Sequence, residues 1–279
     1  MLHKHTNQPR YAVHAALIVT CLILACPALY ALQVATLTLE EAFNIPPQLF
    51  PPSTDFYNNV RSLFEGQGFD QMLWNTFVVA MVVVIGKTAF AMLAGLAFVF
   101  FRFPGKWVLF FFILLTLLLP TEIIVLPLFN LVSTLEWGQN YPRLAFTVPF
   151  LGSAVGAFLF RQHFSNIPRE LVEAAQMDGA TPLRFLYSVL LPMSWNVIGA
   201  HCVIQFISMW QQYMWPIIIN PPEQDQLIQV GVRNSVVVGT STDFGLLMAA
   251  GVIASIPPVL VFILLQKQFM SGFALTRDK

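Results

Sequence analysis

Six stretches of this chain are apolar over about 17 residues or more, and they leave little room for a soluble fold. They run roughly over 11–34, 72–101, 107–132, 145–161, 195–219 and 245–266. A helix needs about 20 mostly apolar residues to cross the hydrocarbon core of a bilayer. In that medium every backbone amide must be satisfied inside the protein, which leaves helices and closed barrels as the spanning structures. Only 10% of the residues are charged, against about 25% in a typical soluble domain. The mean hydropathy is +0.69. These features predict an all-α membrane protein with six transmembrane helices. Formal net charge is zero, and nothing in the bulk charge points to a nucleic-acid partner. Cys21, Cys26 and Cys202 all lie in apolar runs, a pattern of inert packing rather than of a disulfide framework.

Basic residues sort onto alternate sides of the six runs. One side carries Lys4, Arg10, Arg102, Lys106, Arg161, Arg169, Arg184, Lys267, Arg277 and Lys279; the other carries Arg61, Arg143 and Arg233. Loops rich in Lys and Arg stay in the cytoplasm, so both termini are expected there. The expected organisation is a cytoplasmic start over 1–10, a six-helix transmembrane domain over 11–266 with a cytoplasmic loop over 162–194, and a cytoplasmic tail over 267–279. Ile23-Leu24-Ala25-Cys26 is similar to a lipobox, but the apolar run continues beyond Cys26, so an uncleaved first span is expected.

The polar loop contains strong helix punctuation. Asn166 is a candidate cap ahead of Pro168 and Glu170. Gly179 is a candidate left-handed terminator, and Thr181-Pro182 a second cap and first turn before Pro192. Within it, Glu173-Ala174-Ala175, three residues, Gly179, nine residues and Val189-Leu190-Leu191-Pro192 resemble the EAA loop of ABC-importer permeases. Further stretches are similar to the carbohydrate-type branch of that family: Trp74-Asn75-Thr76, Arg102-Phe103-Pro104-Gly105-Lys106, Phe160 through Phe164, and Gln266 through Gly272. Leu118 through Glu122, Leu171 through Gly179 and Trp210 through Pro216 resemble the group that imports sn-glycerol-3-phosphate.

The resemblance implies a type I ABC importer permease in the bacterial cytoplasmic (inner) membrane. It implies that Glu173, Ala174, Ala175, Asp178, Gly179 and Arg184 form a coupling helix gripped by a cytoplasmic ATPase. It also implies a second permease subunit, two ATPase copies and an external substrate-binding protein as partners. ATP and Mg would be bound in the partner subunits, with no cofactor and no catalytic residue on this chain. Gly86-Lys87-Thr88 is not a phosphate-binding loop: the required earlier glycine is replaced by Met81, and the flanks are apolar span.

Several polar residues stand out inside the spans. Lys87 sits near the middle of the second run, where a charge costs at least about 2.5–3.5 kcal/mol. Facing a wet path that attracts an anionic or polyhydroxy solute would offset that cost, and so would pairing with Glu122. Glu122, beyond Pro120, fits the outer mouth of a path or the water interface. His201, Gln205, Ser208 and Gln212 share one helical stripe, which suits path lining or interhelical hydrogen bonding. Trp210 could stack on a sugar ring; Trp215 and Tyr213 suit an interfacial belt. No Cys/His cluster suggests a metal. The substrate is expected to be sn-glycerol-3-phosphate or a related polyol phosphate or sugar, with a neutral oligosaccharide as the alternative. An autonomous secondary carrier is the more distant alternative, since coupling to protons would favour more intramembrane carboxylates than Glu122.

Overall fold

A computed structural model describes residues 11–42, 53–234, 237–238 and 241–274. Three of the apolar runs fold as uninterrupted helices long enough to cross a membrane: Tyr11–Val34, Phe69–Phe100 and Phe244–Gly272. Two more are bent pairs, Pro142–Phe150 with Ala154–Phe164 at 41° and Pro182–Met193 with Trp195–Trp210 at 83°, which raise the number of spans to as many as five.

The remaining run departs from its expected form. In place of one helix over 107–132 the chain forms two, Lys106–Thr116 and Thr121–Thr134. Pro120 lacks an amide donor and disfavours helical geometry at Leu119, so the backbone leaves the first helix through short-range turns at Leu117 and Leu118. The expected run over 195–219 is also divided: its helix stops at Trp210, and a new one covers Met214–Ile219.

Two compact units emerge, Met1–Gln67 with Val232–Ile253, and Gly68–Gly231 with Ala254–Lys279. The first contains α1 (Tyr11–Val34), α2 (Leu39–Ala42) and α3 (Phe56–Gly66). Helix α1 runs unbroken through Cys26 and Pro27, and Val34 is its one buried residue. Thr38 and Glu41 form a reciprocal capping box around α2, with the Glu41 amide donating to Thr38 Oγ1 and the Thr38 amide to the Glu41 carboxylate. That second bond holds the Glu41 carboxyl below the ordinary carboxylate range. Asn59 Nδ2 donates to the carbonyls of Ala35 and Leu37, both at 3.0 Å.

The second unit holds α4 (Phe69–Phe100), α5 (Lys106–Thr116), α6 (Thr121–Thr134), α7 (Trp137–Asn140), α8 (Pro142–Thr147), α9 (Ala154–Phe164) and α10 (Arg169–Met177). It continues through α11 (Pro182–Phe185), α12 (Leu191–Met193), α13 (Trp195–Trp210) and α14 (Met214–Ile219). Helices α15 (Ile228–Asn234) and α16 (Phe244–Ala274) continue from one unit into the other. Between them lies a short antiparallel ribbon, β1 (Val237–Val238) with β2 (Ser241–Thr242).

Helix α4 is the central post of the second unit, packed against α9 and α13. Lipid offers helices no hydrophobic gain for associating, so close van der Waals fit must do it. A methyl group at Gly95 would lie 2.9 Å from Phe160 Cβ and 3.0 Å from its backbone carbonyl carbon. One at Gly156 would lie 2.7 Å from Ala91 Cβ and 2.8 Å from His201 Nε2. The two glycines therefore bring backbone against neighbour with no space for a side chain.

Hydrogen bonds fasten one end of the unit. Asn75 Nδ2 donates to the carbonyl of Gln224 at 2.8 Å. Thr76 Oγ1 accepts from the Ile228 amide at 2.8 Å, and Arg143 lies 3.9 Å from Asp225. The segments around 143 and 225 thus meet.

Replacing Gly95 by Val should destabilise the protein by about 1–3 kcal/mol, the usual cost of forcing atoms into a filled core. The melting temperature in detergent would fall, whereas Gly152→Ala, which points into open space, would leave it unchanged.

Candidate functional site

Two features of the second unit bear on function: the polar corner over 162–194 and a cleft beside α4 and α13. The corner is built as a helix, a stop and a restart. Helix α10 begins after Pro168, not at Asn166. The Asn166 side chain donates instead to the Gln162 carbonyl at 2.9 Å, closing the end of α9 rather than opening α10. Gly179 adopts φ +66°. Its amide donates to Gln176 O and that of Ala180 to Ala175 O, each at 3.0 Å, the bonding pattern of a Schellman stop. Thr181 Oγ1 then accepts from the Arg184 amide at 3.4 Å, with Pro182 in the first turn of α11.

After α11 the backbone makes a π-helical turn over Leu186–Leu190. Pro192 has no amide to donate and its ring crowds the preceding turn, and wide turns of this kind accommodate such breaks. The 83° bend follows before α13.

The faces of α10 are unequal. Val172 and Ala175 pack onto an apolar cluster that includes Leu96, Phe164 and Phe185. Glu170, Glu173, Ala174 and Met177 follow one another at helical spacing and are exposed, Met177 at 88%. Asp178 and Arg184 are exposed as well. Ala175 is partly buried, packed against the protein's own core. The structure adds exposed apolar residues the sequence reading passed over, Met177, Leu183 and Tyr187. The amphipathic spacing of α10 was the signal that would have found Met177.

The cleft has a volume of about 700 Å³ and is lined by Lys87, Gln205, Ser208, Gln211 and Gln212 together with residues of α6, α9 and α14. Lys87 Nζ donates to Gln205 Oε1 at 2.9 Å. The described lining contains no carboxylate. Glu122 lies at the start of α6, and its side chain is outside the described residues. Ammonium, amide and hydroxyl groups in such a place can hold an anionic or hydroxyl-rich solute by hydrogen bonds.

His201, one turn from Gln205, is buried behind the cleft at 1% exposure. Thr88 Oγ1 donates its proton to the Val84 carbonyl at 2.7 Å and lies 3.1 Å from His201 Nδ1, so Nδ1 carries the hydrogen and donates to Thr88. His201 Nε2 has no hydrogen-bond partner and points at Gly156. Trp210, expected on the path, is 2% exposed and donates to the Ala254 carbonyl at 2.8 Å. Trp215, expected at the membrane interface, is equally buried and donates to the Ala145 carbonyl at 3.0 Å. Each indole is fixed by a carbonyl that needed a donor, a long-range pairing no sequence pattern displays. Among the described residues there is no group of three or more His, Cys, Asp or Glu fit for a metal ion.

The family described as "Binding-protein-dependent transport system inner membrane component" matches residues 87–273. The sn-glycerol-3-phosphate transport system permease protein UgpE of Brucella melitensis biotype 1 is 37% identical over 270 residues, which cover 94% of this chain and 95% of that protein. The protein of the same description from Agrobacterium fabrum is 36% identical over 279 residues, with 97% and 98% covered. Among solved structures, a bacterial ABC transporter involved in the import of the acidic polysaccharide alginate superposes with a TM-score of 0.80. It is 22% identical, and 96% of this chain and 99% of that chain are covered. A bacterial alginate ABC transporter in complex with an alginate pentasaccharide-bound periplasmic protein gives a TM-score of 0.64 at 16% identity, over 92% and 93% of the two chains.

Gly179 has open space around it, so a side chain there meets only the backbone cost of the left-handed region, about 1–2 kcal/mol. Gly179→Ala should speed amide exchange at Gly179 and Ala180 by roughly tenfold while the global melting temperature stays nearly constant.

Proposed function

The chain belongs to the family of binding-protein-dependent transport system inner membrane components, and on that premise we propose that it is one permease subunit of an ATP-driven importer for sn-glycerol-3-phosphate. Support comes from near-complete alignment with permeases of that description. It comes also from a cleft whose charged group is the Lys87 ammonium, with no carboxylate among its described lining residues. A cation at that depth favours a phosphate-bearing solute over a neutral oligosaccharide, because it supplies a charge-assisted hydrogen bond only to the former.

In this reading Lys87, Gln205, Ser208 and Gln212 line the path, and Glu122 stands near its outer mouth. The free solute phosphate would take the place of Gln205 on Lys87, and the released amide would turn to a hydroxyl group. His201 and Thr88 hold α4 against α13 behind the path. A second, different permease would close the other side. The full assembly would hold two ATPase copies, with ATP and Mg bound there, and an external substrate-binding protein. A periplasmic protein sits on a structural neighbour of this chain, which supports the last partner.

The coupling step would fall to α10. Glu173 offers a carboxylate to a basic residue of the ATPase, Ala174 allows close approach, and exposed Met177 supplies apolar contact. Gly179 fixes the angle between α10 and α11. ATP-driven closure of the ATPases would push this corner and rotate α13 through the bend at Ser194, opening the path outward; hydrolysis would reset it. In this reading both termini and this corner lie in the cytoplasm, which the concentration of basic residues on that side supports. Such alternating access asks no covalent chemistry of this chain.

Uptake of labelled sn-glycerol-3-phosphate tests the reading. Lys87→Met should lower uptake by about 10- to 100-fold, the worth of one hydrogen bond to a charged group, and Lys87→Arg should restore part of it. Unchanged uptake in a folded Met variant would remove Lys87 from the path. A cysteine at Ala174 should crosslink to a nucleotide-hydrolysing subunit; capture of none would end the coupling role of α10.

A further inference from the structure

The turn between α4 and α5 gathers positive charge beside aromatic rings without any acid to balance it. Gly105, at φ +74°, lets the chain reverse and start α5 at Lys106. Lys106 Nζ folds back and donates to the Phe101 carbonyl at 3.0 Å, where a cation suits the exposed carbonyls at the end of α4. Arg161, in the last turn of α9, lies over two rings, 5.0 Å from the centre of Trp107 and 4.5 Å from that of Phe110. Burial first, and then the nearby charges of Arg161 and Arg102, push the Lys106 ammonium below its ordinary range. Among the described residues the ion pairs are Arg61 with Glu65 and Arg143 with Asp225, so none of these three cations has a carboxylate.

Beside Arg102 and Lys106 opens a pocket of about 470 Å³ whose walls also include Phe103 and Trp107, with Arg161 over the Trp107 ring. Trp107 is thus both a wall of the pocket and the plate beneath Arg161. The surface that continues from it along α5 is apolar and exposed, through Val108, Leu109, Phe111 and Phe112. A cationic pocket at the foot of an oily wall has the chemistry of a phospholipid: phosphate above, acyl chain below. Basic pockets between transmembrane helices hold anionic headgroups in this manner, and Trp at the edge of the hydrocarbon layer suits the same depth.

We infer that the pocket formed by Arg102, Lys106, Trp107 and the neighbouring Arg161 binds the headgroup of an anionic phospholipid, with an acyl chain along the exposed face of α5. The site is separate from the cleft at Lys87 and does not depend on what that cleft transports. Arg102 and Arg161 are the ligands for the phosphate, since Lys106 already serves the end of α4. A bound anion relieves the repulsion among the three cations and so stabilises the turn that joins α4 to α5.

The test uses the full-length chain purified in neutral detergent and titrated with phosphatidylglycerol or with phosphatidylcholine. Bound lipid is read by native mass spectrometry and stability by melting temperature. Phosphatidylglycerol should be retained and should raise the melting temperature, whereas phosphatidylcholine should do neither. Arg102→Gln should weaken phosphatidylglycerol about fivefold, and Arg102→Gln with Arg161→Gln about 25-fold, from the usual worth of each basic residue at an anionic surface. The double Lys variant should keep most of the affinity. Equal binding of the two lipids, or retention of phosphatidylglycerol by the double Gln variant, would overturn the site. Because Arg102 is exposed, its single variant folds independently of the Arg161 stacking and decides the matter if the double variant does not fold. Displacement of the lipid by millimolar inorganic phosphate or glycerophosphate would show a soluble-anion site and overturn the lipid assignment.

Discussion

Helix α4 lies directly against α9 because Gly95 and Gly156 bear no side chain, and the second unit is built around that contact. In a bilayer, apolar residues gain little by leaving lipid for protein, so association rests on close packing and interhelical hydrogen bonds. Both occur here within two turns of α4. Gly95 meets Phe160, Gly156 meets Ala91 and His201, and, one turn before Ala91, Thr88 and Lys87 bond to His201 and Gln205 of α13. The small residues set the distance; the polar pairs set the rotation.

That rotation explains why one polar stripe on α13 has two kinds of member. Ser208, Gln212 and Gln205 line the cleft, while His201 turns toward Thr88 and the α9 backbone. The same contact carries α9 to the polar corner, because α9 ends at Arg161–Phe164 and α10 packs its Val172 and Ala175 onto the cluster containing Phe160 and Phe164. The buried face of α10 is thus joined through packed rings to the post that bears Lys87. The cationic turn at Arg102–Lys106 sits at the end of that same post.

Much was legible in the chain itself. Five of the six apolar runs marked helices, or bent helix pairs, long and apolar enough to cross a membrane. Gly179 and Thr181 occupied the positions that a left-handed stop and a helix cap require, because these are local decisions made by one residue's own backbone and side chain. Proline was harder to weigh: Pro120 broke a run that composition alone drew as one helix, while Pro257 and Pro258 remained inside α16. A missing donor breaks a helix only where neighbours give the freed carbonyl no other support. Asn166 shows the same ambiguity, since its amide could serve the helix before it as well as the one after.

What the amino-acid sequence determined alone was the medium, the helical class and the form of the polar corner, all of them properties of local composition and short-range bonding. Only the tertiary structure decided which polar groups inside the spans face a cavity and which are consumed in packing. Lys87 bonds to Gln205 across 118 positions, and Trp210 and Trp215 satisfy carbonyls 44 and 70 positions away. A helical stripe tells which residues share a face, but what stands opposite that face depends on how closely another helix can approach, a distance that two glycines set between α4 and α9.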